Sequence, residues 1–159
     1  MEQDKNLKIK GQIIYHLNNL CFGMHGHLSV LLKDLNYFFY FKKEREIDLS
    51  NFYLQQIVGQ LQHIITLTRL MEELGGYHKI LDYTNNRADY HKLIKRKQII
   101  KNQAILDSIS NQVLLKEEYV KVQRLINDEK IGDIIEKEIF NLKNNIESLQ
   151  DKMVCVANN

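Results

Sequence analysis

The chain has 159 residues, of which 44% are hydrophobic, so it can bury a core as a single domain over residues 1–159 and is not a disordered chain. Its 22 basic and 20 acidic side chains leave a net charge of +2, which gives no general case for a nucleic acid or an anionic membrane as partner. The absence of proline and the presence of only seven glycines favour a few long helices over many short strands.

Two uncharged stretches, Gly11–Leu32 and Leu49–Thr68, are long enough to be considered as membrane spans. Both contain several Asn, Gln and His side chains, which a lipid core disfavours. The N-terminus lacks the apolar run of a signal peptide. We therefore expect a cytoplasmic protein, with Cys21 and Cys155 as free, buried thiols, because two cysteines without a spacing pattern form no disulfide framework.

The first predicted helix runs from about Leu7 to Phe41. Its apolar face recurs at spacings of four and three residues, as on a packed helix. The members of this stripe are Ile13, Leu17, Leu20, Met24, His27 and Leu31. The charged residues 42–46 then predict a polar connection.

The second predicted helix begins near Ser50, which we interpret as its N-cap, and ends at Gly75 and Gly76, since glycine accepts the positive φ of a helix end. One face of this helix is polar in its first half and leucine-rich in its second. It comprises Gln56, Gln60, His63, Leu67, Leu70 and Leu74. A second inward face beside it comprises Ile57, Leu61, Ile64, Thr68 and Met71. This pattern predicts a deeply buried helix with a polar inner strip.

A long connection is predicted from Gly76 to about Ala88, followed by a third helix over Asp89–Ile126. Asn127 and Asp128 supply a turn and a cap before the fourth helix. The inward line of the third helix is Ile105, Ile109, Gln112, Lys116 and Tyr119, and that of the fourth is Ile131, Ile135, Ile139, Leu142, Ile146, Leu149 and Met153. We predict an all-α, ferritin-like four-helix bundle with a long crossover between helices two and three. An up-and-down bundle with short loops is the competing architecture.

The segment from Gln60 to Gly76 resembles the second helix of bacterial ferritin-like proteins of the rubrerythrin and manganese-catalase kind. In that family a Glu-x-x-His motif precedes a leucine-rich turn and a Gly-Gly stop. Residues 126–135 and 139–149 resemble the family's fourth helix, and weaker similarity covers 17–31 and 108–119. The resemblance implies a site for two metal ions, held by a glutamate from each of helices one and three and by a Glu-x-x-His from each of helices two and four.

Most of the implied ligands are replaced in this sequence. The glutamate position of helix two is Gln60, whereas the histidine position keeps His63. The remaining ligand positions fall on or near His27 in helix one, on Gln112 in helix three, and on Leu142 and Asn145 in helix four. The resemblance therefore implies the fold of the family without its ligand set.

The residues support the same interpretation without any family. A pair of hard cations needs carboxylates to neutralise its charge. No Asp or Glu occurs from Gly11 to Lys33 or from Leu49 to Met71, which would supply half of the ligands. We therefore predict no di-metal centre, no catalytic residue and no cofactor. The inward polar side chains are expected to bond to one another or to trapped water.

Two alternatives remain open for the polar interior. One is a single zinc or other transition metal on His63 and His27, with His25 as a third candidate ligand. The other is a small neutral ligand.

Three functions follow from this sequence. The first is a non-catalytic structural or partner-binding protein, as a homodimer or with another protein. The second is a residual single-metal oxidoreductase or hydrolase that uses the histidines. The third is binding of an acidic partner through a run of basic residues near the start of the third helix; the alternative is that this run is a solvated helix face. This run consists of Lys92, Lys95, Arg96, Lys97 and Lys101.

Overall fold

The computed structural model describes residues 2–76 and 101–157, and the statements below concern these two ranges. Within them the chain is helical, without a strand, as predicted. The helices are α1 (Glu2–Phe22), α2 (His27–Lys43), α3 (Ile47–Glu73), α4 (Lys101–Gln123) and α5 (Glu129–Ala157). None of these helices combines the length and the hydropathy that crossing a membrane requires.

The first predicted helix is two helices, so the prediction of one continuous helix over Leu7–Phe41 was wrong. The break lies at residues 23–26, and a Cβ atom on Gly26 would lie 2.7 Å from the carbonyl oxygens of Asn19 and Leu20. Only glycine can approach the end of α1 so closely. Met24, predicted to face inward, is 73% exposed because it lies in this turn.

Together, α1 and α2 take the place of the long first helix. The side chain of Ile14 on α1 lies against Gly76, at the end of α3. The ring of Phe41, near the end of α2, stacks on Tyr53 near the start of α3, with centroids 5.7 Å apart. Therefore α1 packs along the second half of α3 and α2 along the first half, both antiparallel to it.

The prediction for the start of α3 was wrong, and the prediction for its end is confirmed. The helix begins at Ile47, so Ser50 is not its N-cap; the Ser50 hydroxyl lies inside the helix and donates to the carbonyl of Ile47 at 2.9 Å. The predicted stop is confirmed, since Gly75 has a φ of 78°. The amides of Gly76 and Gly75 bond back to the carbonyls of Met71 and Glu72, the pattern of a Schellman motif.

Two ion pairs show the directions in which α4 and α5 run relative to α3. Lys101, at the start of α4, pairs with Glu46, which precedes α3, with a nitrogen–oxygen distance of 2.6 Å. Lys130, at the start of α5, pairs with Glu73, at the end of α3, at 2.9 Å. Therefore α4 begins where α3 begins, and α5 begins where α3 ends. The predicted crossover and the first part of the predicted third helix fall on residues 77–100, outside the described residues.

The start of the last helix was predicted correctly. The carboxylate of Asp128 accepts a hydrogen bond from the Ile131 amide at 3.0 Å, so Asp128 caps α5. The predicted inward stripe of this helix is also found, since Ile131, Ile135, Leu142 and Leu149 are all buried.

The buried apolar side chains form two clusters. The larger cluster joins α1, α2, α3, α4 and α5 and includes Leu17, Leu67, Tyr119 and Leu142; the smaller one surrounds Phe41, Tyr53 and Leu149 at the other end. Two further expectations about burial were wrong: Leu61 of α3 is 47% exposed, and Cys155 is exposed although Cys21 is buried. Both cysteines are free, as predicted.

Candidate functional site: a buried histidine cluster

His27, the first residue of α2, is fully buried and has both ring nitrogens in hydrogen bonds. Its Nδ1–H donates to Oε1 of Gln60 at 2.6 Å, and its Nε2 accepts from the Tyr119 hydroxyl at 2.7 Å. This arrangement holds the ring in its neutral form. Burial and, to a lesser extent, the nearby His63 lower the pKa of His27 from 6.5 to about 3, against the bond to Gln60, which raises it.

His63 lies one turn after Gln60 on α3 and bonds to a different partner. Its Nδ1–H donates to Oε2 of Glu138 on α5, and both side chains are buried. The rings of His63 and His27 stack, with centroids 4.7 Å apart and planes inclined by 21°. Thus α2, α3, α4 and α5 each contribute to one group of five side chains, which we call the histidine cluster: His27, Gln60, His63, Tyr119 and Glu138.

Glu138 and the hydroxyl of Tyr119 are the parts of this cluster that the sequence analysis missed. Glu138 follows Ile135 by three residues and precedes Leu142 by four, so it continues the buried stripe of α5. That spacing could have indicated that Glu138 is buried. The sequence analysis instead assigned the neighbouring Ile139 to the stripe. The polar interior thus contains a carboxylate that the acid-poor stretches of helices one and two did not reveal.

The structure brings together only part of the predicted set of inward polar residues. His27, Gln60 and His63 meet, as described above. Gln112 is buried, but its Oε1 has no hydrogen-bond partner among the described residues. Leu142 belongs to the apolar core, Asn145 is half-buried, and His25 is exposed in the turn between α1 and α2.

A second buried acid, Asp34, lies on α2 two turns beyond His27. It is 2% exposed, and burial raises its pKa from 3.8 to about 8, whereas the adjacent Lys33 opposes this shift. Asp34 is therefore mostly protonated at neutral pH. Its Oδ2 has no hydrogen-bond partner in the described parts of the chain. Asp34 is the first residue after the acid-free stretch that ends at Lys33, and the sequence analysis gave it no role.

The donor set of the histidine cluster does not fit the two metal ions that the resemblance implies. Both nitrogens of His27 are already bonded, Gln60 offers a neutral amide, and Glu138 is the cluster's single carboxylate. Among the side chains that the structure describes, no three His, Cys, Asp or Glu converge as a possible metal site. The buried Cys21 is not a reactive thiol, since burial raises its pKa to about 12.

We compared the chain with models of protein families, with curated proteins and with solved structures, and none of them matched. The function proposed below therefore follows from these residues and their geometry.

Proposed function

We propose that this chain is a ferritin-like bundle that works without a di-metal centre, in a structural or partner-binding role. The observation that carries the proposal is the histidine cluster itself. Both nitrogens of His27 are used, and Nδ1 of His63 is bonded to Glu138, so these groups bond to one another inside the protein. A buried network of this kind fixes how the helices pack. One of its polar atoms, Nε2 of Gln60, has no hydrogen-bond partner among the described residues.

The cluster connects four of the five helices. His27 of α2 binds Gln60 of α3 and Tyr119 of α4. The pair of His63 and Glu138 then joins α3 to α5. Because an unmade buried hydrogen bond costs about 1–3 kcal/mol, any sliding of one helix against another would be penalised at several contacts together. The cluster thus specifies the register of the bundle.

The directions of the helices support a ferritin-like connectivity. The starts of α3 and α4 lie at the same end of the bundle, as the pair of Glu46 and Lys101 shows. A helix of 27 residues such as α3 is about 40 Å long. Gly76 and Lys101, between which we propose the crossover, therefore lie at opposite ends of the bundle. An up-and-down bundle with a short loop at this position does not agree with these directions.

A single metal ion is the second candidate, and one observation favours it. A metal-binding histidine commonly donates its other ring nitrogen to a carboxylate, as His63 does to Glu138. The ring of His27 lies 4.7 Å away, centroid to centroid. Binding through His27 would nevertheless require the loss of its bond to Tyr119 or Gln60, and burying a cation beside one carboxylate is costly. The geometry therefore favours the first proposal.

Elemental analysis distinguishes these two functions. The protein is expressed with iron, manganese and zinc available, and the metal content per chain is measured for the wild type and for His63→Ala. We expect close to zero metal ions in both, with a melting temperature that a chelator leaves unchanged. One metal ion per wild-type chain, lost in His63→Ala, would establish the single-metal alternative. Two ions per chain would overturn both proposals.

A further inference from the structure

An exposed apolar stripe runs along the outer face of α3, opposite the histidine cluster. Leu54, Val58, Leu61 and Ile65 are 44–49% exposed and follow one another at spacings of four, three and four residues. Ile47, one heptad before Leu54, is 68% exposed. We call these five side chains the α3 stripe. Since the other face of α3 is already buried, the stripe is a second apolar face on the same helix.

The stripe has the residue types of a two-helix contact. In a heptad, β-branched Val58 and Ile65 take the a positions, and Leu54 and Leu61 take the d positions, which is the apolar a/d pattern of helices that pack knobs into holes. Asn51 falls on the preceding a position and is also exposed. A lone polar residue at such a position restricts the partner and the register rather than adding stability.

We propose that the α3 stripe binds the α3 stripe of a second copy of this chain, with the two helices antiparallel. The two-fold axis lies between Val58 and Leu61. Val58 then faces the partner's Leu61, and Leu54 faces the partner's Ile65. The same register places Asn51 against the partner's Thr68, so the four central layers are apolar and a polar layer bounds them at each end. Ile47 lies outside these layers, across from the partner's Glu72. The proposal rests on the partner-binding role above and names the partner.

The charges beside the stripe favour the antiparallel direction. Asp48 and Arg69 are exposed, lie on the same edge of the stripe and are three heptads apart, at opposite ends of α3. Antiparallel pairing about a two-fold axis brings each Asp48 close to the partner's Arg69, and it does so twice. Parallel pairing would leave the acidic ends together and the basic ends together. The uncharged Gln55 and Gln62 lie between them and meet each other in the antiparallel arrangement.

The molar mass in solution tests this proposal. Light scattering or sedimentation is applied to the wild type, to Val58→Glu combined with Leu61→Glu, and to Phe140→Glu as a control that alters an exposed aromatic side chain on α5. We expect a dimer for the wild type and the control and a monomer for the double variant, with equal helix content by circular dichroism. A monomeric wild type at about 100 μM, or a double variant that remains a dimer, would overturn the proposal.

A charge exchange tests the direction of pairing and does not depend on the double variant folding. Asp48→Arg and Arg69→Asp are each expected to raise the dissociation constant about tenfold or more, because each places like charges together. The variant with both substitutions should return the dissociation constant to near that of the wild type. Additive weakening in the double exchange would exclude the antiparallel register.

The two proposals can fail separately. Metal content per chain measures the first, and molar mass measures the second. A metal-free monomer would leave the structural role standing and remove the self-association, whereas a metal-loaded dimer would do the reverse.

Discussion

The imidazole rings of His27 and His63 stack at a centroid distance of 4.7 Å, yet each bonds to a different side chain from another helix. His27 is held between a neutral amide and a phenol, and His63 donates to the carboxylate of Glu138. Two positive charges on stacked, buried imidazoles would cost free energy through desolvation and mutual repulsion. The two rings therefore differ in role: His27 links an amide to a phenol, and His63 links α3 to a carboxylate of α5.

Loss of the Glu138 carboxylate should destabilise the fold. In Glu138→Ala, the Nδ1–H of His63 is left buried without its acceptor, and we expect the free energy of unfolding to fall by about 3 kcal/mol. Urea denaturation at neutral pH measures the change. Glu136→Ala is the matched control, since Glu136 is exposed on the same helix and should change stability by less than about 0.5 kcal/mol. Equal effects of the two substitutions would contradict the structural role of the cluster.

The neutral form of His27 should make the protein lose stability in acid. The unfolded chain binds a proton at this side chain below pH 6.5, and the folded chain does so only near pH 3. The contribution of His27 is therefore complete above pH 6.5 and is lost as the pH falls toward 3, with a slope of up to about 1.4 kcal/mol per pH unit. His27→Gln should remove this part of the slope, as measured by urea denaturation from pH 7 to pH 4. His25→Gln, at an exposed histidine, should retain it.

Asp34 should act in the opposite direction. Its pKa is about 8 in the folded chain and 3.8 when unfolded, so stability from the protonated acid is complete below pH 3.8 and is lost as the pH rises toward 8. Asp34→Asn should therefore raise the free energy of unfolding at pH 7 by about 2–4 kcal/mol and weaken its dependence on pH. The exposed Asp133→Asn serves as control. A variant less stable than the wild type at pH 8 would show that the carboxylate has a partner that the amide cannot replace.

Two substitutions of glycine by alanine should have opposite effects on stability, because Gly26 allows the close approach at the helix break and Gly11 lies inside a helix. Gly26→Ala should lower the free energy of unfolding by about 2–3 kcal/mol, because its Cβ would lie 2.7 Å from two carbonyl oxygens of α1. Gly11→Ala, inside α1 with no atom within 4 Å of the added Cβ, should raise it by about 0.5–1 kcal/mol. Thermal unfolding followed by circular dichroism measures both. A stabilising Gly26→Ala would show that the break is not a fixed part of the fold.

Part of the polar interior could be predicted from the residue spacing within a single helix. Gln60 and His63 were predicted on the inner face of the second helix because their spacing agrees with the leucines that follow, and the structure buries both. The Gly75 stop and the Asp128 cap were predicted for a similar reason, since each depends on the conformation of a few adjacent residues.

Residues whose role depends on another helix were harder to find. The spacing of Glu138 fits the buried stripe of α5, but nothing in the sequence names its partner, which is His63 of α3, the donor of the hydrogen bond to its carboxylate. Leu61 shows the reverse case. Its spacing fits an inward face as well as an outward one, because a helix with apolar residues on several sides has no single direction in its periodicity.

Periodicity and the glycine and Asp signals act over a few residues, so they predicted the all-helical architecture, the end of α3 and most of the core. Three-dimensional packing was needed to show the break before His27, the pairing of Glu138 and Tyr119 with the histidines, and the exposure of the α3 stripe. These features depend on which helices approach one another and at what height. Such contacts join residues far apart along the chain, so the spacing along a single helix does not show which partner a residue meets.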